Sequence, residues 1–456
     1  MCNNKLTREY VLNALFKAFN YGNLGLFIGA GFSKAVVNDN LVASALSWGD
    51  LINKACEELH IQMPESDSLI GLSFPQISSL ICELLAKSEN ISYEEAKSRL
   101  KKKIGHLTNW LPNKDKTSVF SDLLNKINPS WIITTNYDLV IEKLLTGKGV
   151  TLGPDNYFTY PKGTIPIYHL HGVRIYPDSI IITQDDYVQL FRPNEYRQIK
   201  LALTIKESTT LILGYGLGDV NVLSAVDWSK NIYKENNSYP HEIIQAIRTD
   251  NPSSEPYKDK NGIIIIEIKD IQDFLQELVE FITHQKNTYD LKMAQLNKLI
   301  GDLTHSDEDS IESFISDEDM RLKLLQLLSE FELHMISPYI DFISRCIDKT
   351  WTDSAQYGAF EAYDKNLRIL LDIIINYNKM PPALFELVAH SLDKVLKYVN
   401  DTDGKKIGFS WEATRRWHSQ KNNIPPQTLE EFYHFSRNNF LSELHRKIRP
   451  IYESKR

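Results

Sequence analysis

The sequence predicts a doubly wound, mostly parallel α/β sheet followed by an all-helical C-terminal domain. Between residues 24 and 284, short uncharged apolar runs alternate with segments of helical periodicity, which is the pattern of βα units that build parallel sheets. After about residue 290 the apolar runs stop, and only the helical periodicity continues. A chain of 456 residues also exceeds one ordinary domain, so we expect at least two.

Composition and charge exclude several classes of protein. The chain carries 51 basic and 59 acidic side chains, a net charge of -8, which does not favour a nucleic-acid partner. It has no apolar run long enough to span a membrane and no apolar core of a secretory signal near Met1. Its four cysteines form no Cys-x-x-Cys pair, so we expect no metal and a cytoplasmic location.

The first strand ends in a glycine-rich turn. The apolar run Leu24–Ile28 leads directly into Gly29, Ala30, Gly31, Phe32 and Ser33. Such a turn brings bare backbone close to a phosphate at a helix N-terminus. By itself the turn leaves a ligand-free strand–helix corner equally open. A dehydrogenase fingerprint fits poorly, because Lys34 replaces its third glycine and Asp50 is better explained as the capping partner of Ser47.

Polar or glycine-rich residues also follow the later strands. Strands are predicted at residues 131–135, 165–170, 180–182, 210–214, 242–244 and 263–266, with a closing helix at 271–282. The first of these ends at Asn136-Tyr137-Asp138, the second at His171-Gly172, and the fourth runs from Gly214 into Gly216 and Asp219. Because ligands bind beyond the carboxyl ends of parallel strands, one crevice can collect these turns.

Each turn also has an interpretation without a ligand. Asn136 and Asp138 can form an Asx turn that caps the next helix, and a single strand-end histidine such as His171 is more often structural. His169 and His171 alternate onto one strand face and suggest a metal site. No third ligand follows at a suitable spacing, so the sequence favours no metal. The conjunction of the turns is the informative observation.

Gly-Ala-Gly-Phe-Ser, Thr-Thr-Asn-Tyr-Asp, Leu-His-Gly and Gly-Tyr-Gly-Leu-Gly-Asp, in this order, resemble the Rossmann-like NAD-binding fold of the sirtuins. The resemblance is closer to the sirtuin-like domains of bacterial anti-phage defence proteins, the defence-associated sirtuins, and covers roughly residues 10–285. The sequence departs from the deacylase sirtuins in lacking their zinc ribbon and in continuing as Lys34–Asn38 after the glycine turn. Both departures put protein deacylation in doubt and leave NAD cleavage intact.

The resemblance implies an NAD+ glycohydrolase that releases ADP-ribose and nicotinamide, with NAD+ as substrate and no metal. It implies that Asn136 orients water and the ribose hydroxyls, that His171 accepts a proton, and that Asp138 lies near the nicotinamide amide. The remaining NAD+-binding residues that it implies are Gly29, Ala30, Gly31 and Phe32 at the pyrophosphate, Ser33 as a hydrogen-bond donor, Thr135, and Gly214, Gly216 and Asp219 at the adenosine.

The domain prediction places the catalytic domain at 1–289, a linker at 290–319 and a helical regulatory or oligomerisation domain at 320–456. The resemblance further implies a homo-oligomer that a phage protein or a partner subunit activates, and depletion of NAD+ as the defence. Two other functions stay open. One is a non-catalytic module that senses NAD+ or ADP-ribose, and the other is a protein deacylase or ADP-ribosyltransferase.

Overall fold

The structure, a computed structural model, describes residues 6–38, 45–63, 69–154, 156, 159–190, 196–216, 241–300, 308–331, 336–354, 360–377 and 380–455. The chain divides into two compact units, Met1–Lys286 and Asn287–Arg456. Within the described residues, the first unit is an α/β fold and the second is helical. Both parts of the predicted fold class are confirmed.

The first unit is built on one eight-stranded sheet with the order β3-β4-β2-β1-β5-β6-β8-β7. The strands are β1 (Leu24–Ile28), β2 (Trp131–Thr134), β3 (Gly149–Leu152), β4 (Ile165–His169), β5 (Thr209–Leu213), β6 (Ile243–Arg248), β7 (Tyr257–Lys258) and β8 (Ile264–Ile268). All neighbours pair in parallel except β7 with β8. Four adjacent strands, β4-β2-β1-β5, therefore bring the four predicted strand ends to one edge of the sheet.

The composition of β1 explains its position inside the sheet. Every residue of β1 is buried, as expected for an uncharged strand that is covered on both faces. Leu26 pairs with Ile132 of β2 on one side and with Leu211 of β5 on the other. The chain leaves β1 for β2 and later returns to the opposite side as β5, so the strand order changes direction at β1. Such a switch point opens a crevice between the strand ends.

Among the described residues, ten α-helices begin in the first unit, and the last of them continues into the second. They are α1 (Arg8–Tyr21), α2 (Ala30–Val37), α3 (Trp48–Glu58), α4 (Phe74–Glu89), α5 (Tyr93–Leu107), α6 (Lys114–Ile127), α7 (Val140–Leu144), α8 (Gln184–Leu190), α9 (Tyr196–Lys206) and α10 (Ile271–Ile300). The predicted capping box of α3 is confirmed, because Ser47 and Asp50 exchange the hydrogen bonds of a capping box. Asp50 therefore has the local role that the sequence indicated.

Three segments of the sheet region differ from the prediction. The expected strand at 180–182 is buried but irregular; Ile180 and Ile182 pack in the cluster beneath α3, α4 and α5, while the Ile181 N–H donates to the His171 carbonyl. Short apolar runs do not distinguish a strand from a buried loop. The edge strands β3 and β7 were not predicted, since their residues lack a continuous apolar run.

The second unit packs its own apolar core from helices alone. They are α11 (Glu308–Ser316), α12 (Glu318–Leu328), α13 (Ser337–Ser354), α14 (Phe360–Asn376), α15 (Pro382–Leu396), α16 (Trp411–Gln420), α17 (Pro426–Asn438) and α18 (Ser442–Lys455), with a 3-10 turn at Lys421–Asn423. Among the described residues, none of these helices and none in the first unit combines the length and apolar character needed to cross a bilayer.

The segment predicted as a linker, 290–319, differs from the structure. Residues 290–300 continue α10, and residues 308–316 form α11, while 301–307 lie outside the described part of the chain. Helix α11 buries Ile311, Phe314 and Ile315 in the helical core. The sequence does not reveal this apolar face, because acidic and serine residues lie on the same short helix. The two units meet in sequence at residues 286 and 287.

Candidate active site

The glycine-rich turn packs directly against the end of β5. A Cβ on Gly214, whose φ is +61°, would lie 2.1 Å from the Phe32 nitrogen, and one on Gly31 would lie 2.9 Å from the Gly214 Cα. The Gly29 N–H donates to Leu213 O at 3.0 Å, and the Gly31 N–H donates to Gly214 O at 2.8 Å. These glycines are required because two backbone turns touch.

Asn136 is fixed by its own backbone and its amide. Its N–H donates to Thr134 Oγ1 at 3.0 Å, and its side-chain Nδ2 donates to Ser33 Oγ at 3.0 Å. Thr134 Oγ1 in turn donates to Ile28 O on β1, which ties the end of β2 to the neighbouring strand. Oδ1 is the acceptor atom of this amide and can accept a hydrogen bond from water or a hydroxyl.

Asp138 is a buried carboxylate beside Asn136. Ser33 Oγ lies 3.1 Å and 2.9 Å from its two oxygens, and the Val140 N–H donates to Oδ1 at 3.0 Å. Burial disfavours the ionised form and raises the pKa of Asp138 to about 6, although the hydrogen bonds from Val140 and Ser33 oppose this. Asp138 is therefore ionised at neutral pH and protonated in mild acid.

His169, at the end of β4, contacts an acceptor through each ring nitrogen. Nδ1 lies 2.8 Å from the Asn136 carbonyl oxygen, and Nε2 lies 2.8 Å from Glu142 Oε1. The ring is fully buried. Burial lowers its pKa, but the hydrogen bond and charge of Glu142 outweigh burial, so the pKa is raised. Among the described residues, no group of three or more His, Cys, Asp or Glu side chains is arranged to hold a metal ion.

His171 follows β4 and immediately precedes a segment, 172–183, that we call the strap. Gly172 has a φ of +88°, and a Cβ there would lie 2.2 Å from Ser179 O, so only glycine fits this turn. Tyr137 holds the strap twice: its hydroxyl donates to Ile181 O at 2.8 Å, and its carbonyl accepts the Arg174 N–H at 2.9 Å.

Helix α8 places an aromatic ring against the histidine that precedes the strap. The centroids of the His171 and Tyr187 rings lie 5.3 Å apart with an interplanar angle of 62°, an edge-to-face contact that orients the imidazole. Asp186 fixes the start of α8, since its carboxylate accepts the N–H groups of Ile182 and Thr183. A buried ion pair with Lys101 at 2.9 Å holds Asp186 to α5.

A cavity of about 800 Å³ lies at this edge of the sheet, within the roughly 300–1,000 Å³ typical of small-molecule sites. Seven of the predicted residues line it: Ala30, Thr135, Asn136, Asp138, His171, Gly214 and Gly216. Four aromatic residues from helices and loops that the sequence analysis did not assign to the site also line it: Trp48, Phe74, Trp110 and Tyr187. The lining of the cavity therefore combines polar strand-end residues with aromatic side chains.

A second cavity, of about 480 Å³, shares Gly214 with the first. Its lining includes Gly31, three cationic side chains, Lys34, Lys116 and Arg248, and one acidic side chain, Asp270. Lys116 also donates through Nζ to the carbonyls of Ala35 and Asn38, which caps the C-terminal end of α2. The shared glycine makes Gly214 the boundary between a mostly apolar cavity and a cationic one.

Five predicted residues lie elsewhere or have a second role. Phe32 is a core residue, with its ring centroid 5.6 Å from that of Phe120. Ser33 is buried between Asn136 and Asp138 and lines neither cavity. Gly29 also lines neither cavity. Gly31 lines the second cavity rather than the first. Asp219 lies outside the described residues.

The sequence of this region matches a known family. Residues 130–266, which contain β2, β4 and β5, match the family model of the SIR2-like domain. The chain carries a SIR2-like domain. The predicted resemblance to sirtuin-like domains of anti-phage defence proteins is confirmed at this level by three curated relatives.

The relatives differ in how much they cover. NAD(+) hydrolase ThsA of Acinetobacter baumannii is 26% identical over 52% of this chain and 45% of its own length. Defense-associated sirtuin 2 of Bacillus subtilis is 22% identical over 70% of this chain and 30% of its own length. NAD(+) hydrolase ThsA of Cytobacillus dafuensis is 24% identical over 46% and 39%. The matched part of this chain thus spans less than half the length of each relative.

Proposed function

We propose that this chain hydrolyses NAD+ to ADP-ribose and nicotinamide and is a regulated effector of anti-phage defence that depletes NAD+. The observation that carries the proposal is the convergence of Asn136, Asp138 and His171 on one cavity of about 800 Å³. Two of the relatives are named NAD(+) hydrolase and one is named a defence-associated sirtuin, which supports the same substrate and the same biological role.

The proposed reaction breaks the bond between ribose C1′ and the nicotinamide nitrogen. Nicotinamide leaves with the bonding electron pair, and the cationic C1′ is captured by water, as in glycoside hydrolysis. Asn136 Oδ1 orients the water and the ribose hydroxyls, and His171 accepts the proton that the water loses, directly or through a ribose hydroxyl. The carboxylate of Asp138 places negative charge near the nicotinamide end, where the cation develops.

The second cavity suits the adenosine half of the same molecule. Lys34, Lys116 and Arg248 line it, and their charges favour a diphosphate. With the nicotinamide riboside in the first cavity, the pyrophosphate would cross at Gly214, next to Ala30 and Gly31. Because the Gly29 and Gly31 N–H groups donate to the carbonyls of Leu213 and Gly214, the phosphate contacts in this arrangement come from the cationic side chains and the remaining backbone of the turn.

The helical unit is proposed to control the hydrolase. An unrestrained enzyme of this kind would exhaust the NAD+ of its own cell, so a restraint is needed. The described helices of the second unit have a separate core and contribute no residue to either cavity. We assign them to oligomerisation of the chain and to its activation by a phage protein or a partner subunit.

The proposal is tested by following NAD+ and its products with the purified chain, alone and with lysate of infected cells. Asn136→Ala and His171→Ala should each lower turnover by about 10²–10⁴-fold while circular dichroism shows folded protein. His434→Ala, at an exposed position on α17, is the control and should retain the wild-type rate. Wild-type rates in both site variants would assign the chemistry to other residues.

The same assay separates the other two functions. NAD+ that binds in calorimetry and is recovered intact under every condition would favour the sensing module over a hydrolase. Transfer of label from NAD+ to a protein acceptor, or loss of an acyl group from one, would favour a transferase or deacylase. Free ADP-ribose and nicotinamide in equal amounts are the result that the proposal requires.

A further inference from the structure

We propose that His169 is held as an imidazolium and acts as a positioning residue for Asn136, an inference that rests on the proposed hydrolysis. His169 lies at the end of β4 and Asn136 follows β2, and the two strands are paired at Thr134 and His169. The ring does not line the cavity. Its action on the reaction would therefore pass through the backbone of Asn136.

The hydrogen-bond geometry sets the protonation state. A neutral imidazole has one N–H donor and one acceptor nitrogen. Both partners of His169 are acceptor oxygens, the Asn136 carbonyl at Nδ1 and the Glu142 carboxylate at Nε2, each at 2.8 Å. With Glu142 ionised, both contacts are hydrogen bonds only when both ring nitrogens carry a proton. A neutral ring would leave two lone pairs facing each other in a fully buried position.

Glu142 supplies the compensating charge. Its Oε1 accepts from His169 and from Thr151 Oγ1 at 3.0 Å, whereas Oε2 is buried without a hydrogen-bond partner among the described residues. The imidazolium is thus the cation that offsets this carboxylate. Asp138 is the other charged group that faces the ring, and its charge, like that of Glu142, raises the pKa of His169 against the opposing effect of burial.

The His169–Glu142 pair fixes the backbone of Asn136, on which the proposed chemistry depends. Three elements hold Asn136: β2 through Thr134, α2 through Ser33 and β4 through His169. Of these contacts, only the one from His169 reaches the carbonyl. The charges of His169 and Glu142 cancel, so Asp138 remains as the uncompensated negative charge beside the proposed cationic C1′. The pair therefore orients Asn136 without adding positive charge to the site.

The protonation state is measured by NMR of the whole chain with ring-labelled histidine. The signal of His169 is assigned by its loss in His169→Gln. We expect both ring nitrogens to carry protons at pH 8, where an unperturbed histidine, with a pKa near 6.5, is neutral. A ring with one unprotonated nitrogen at that pH would overturn the proposal. This measurement needs no turnover, so it decides the question even if the chain fails to cleave NAD+.

The positioning role is measured by separating turnover from binding. His169→Gln should lower kcat about 100-fold, as expected for a misplacement of about 1 Å, while the NAD+ Kd in calorimetry stays within about threefold. Glu142→Gln removes the charge and offers an amide that can donate to Nε2, so the His169 ring should lose one of its two protons at pH 8 while Nδ1–H still reaches the Asn136 carbonyl. A folded His169→Gln variant with wild-type kcat, or an imidazole that keeps both protons in Glu142→Gln, would overturn the proposal.

The control is His434→Gln, a histidine of the second unit whose Nε2 lies 3.9 Å from Glu430 on an exposed helix face. It should leave kcat and Kd unchanged. If His169→Gln lowers kcat and weakens NAD+ binding in parallel, with a matching loss of thermal stability, the residue supports the fold alone and the positioning role is refuted. An inactive wild type would instead contradict the proposed function.

Discussion

Asp138 is a buried carboxylate of the candidate site whose ionisation lowers the stability of the folded chain. The carboxylate is 2% exposed and is hydrogen-bonded to Ser33 and to the Val140 N–H. Burial still raises its pKa to about 6. Ionising this group at neutral pH therefore lowers the stability of the folded chain. The proposed chemistry needs a negative charge that stabilises a cation, and the fold is destabilised at the position of that charge.

The pH dependence of stability tests this account. Below about pH 3, Asp138 is protonated in both the folded and unfolded states. As the pH rises, the unfolded chain loses this proton first, so stability falls until the folded pKa of about 6 is passed. The free energy of unfolding of Asp138→Asn, relative to wild type, should therefore increase by about 2 kcal/mol between pH 4 and 7, measured by denaturant titration.

The control for this experiment is Asp401, whose pKa is lowered to about 2 by hydrogen bonds from Lys447 and Arg446. Its stabilisation is complete above the unfolded pKa and is lost only in stronger acid. The difference between Asp401→Asn and wild type should change little from pH 4 to 7. A pH-independent difference for Asp138→Asn would show that the buried carboxylate does not carry the penalty.

At the scale of elements, the site depends on how closely two strand ends approach. The turn after β1 and the turn after β5 touch through Gly31 and Gly214, with a Gly31 N–H···O hydrogen bond of 2.8 Å to Gly214. The same glycine separates the two cavities. The glycines are thus explained first by packing, and the shape of the crevice follows from that packing.

Two glycines after β5 give a matched comparison. Gly214→Ala places a Cβ 2.1 Å from the Phe32 nitrogen at a positive φ, whereas nothing lies within 4 Å of a Cβ on Gly216. We expect Gly214→Ala to lower the free energy of unfolding by about 3 kcal/mol or more and Gly216→Ala to change it by less than about 1 kcal/mol. Equal melting temperatures for the two variants would contradict the close approach.

At the scale of the whole molecule, the apolar clusters found among the described residues divide between the two units. The helical core draws on residues 296–451, and the clusters of the α/β unit draw on residues 27–265. Within the helical unit, Arg321 is fully buried and donates to Asp372 Oδ2 and to the Phe314 and Ile315 carbonyls. One side chain therefore joins the end of α11 to α14. Separate cores predict that each unit unfolds with its own cooperativity.

Arg321→Met tests this separation. The substitution leaves Asp372 buried without its cation, which typically lowers stability by about 3–5 kcal/mol. In hydrogen exchange of the full chain, the loss of protection should be confined to the helical unit. Arg449→Met, which breaks an exposed ion pair with Glu453 in the same unit, should leave protection almost unchanged. Equal loss of protection across both units would show a single cooperative structure.

The sequence was sufficient to predict features that depend on a local pattern of residues or that follow from the topology of the sheet. The Ser47–Asp50 capping box depends on residues three apart, and the convergence of Asn136 and His171 follows from parallel strands that end at one edge. The partnership of His169 with Glu142 joins residues 27 apart and has no local pattern. The aromatic lining of Trp48, Phe74 and Trp110 depends on how helices dock, which periodicity does not encode.

Tyr137 links the strap to the two candidate site residues that flank it in the chain. It stands between Asn136 and Asp138 in the chain, and it holds the strap through Ile181 and Arg174. A displacement of the strap that breaks these bonds also pulls on the backbone that aligns the amide and the carboxylate. The position of the strap and the alignment of the two proposed catalytic side chains are therefore coupled through one residue.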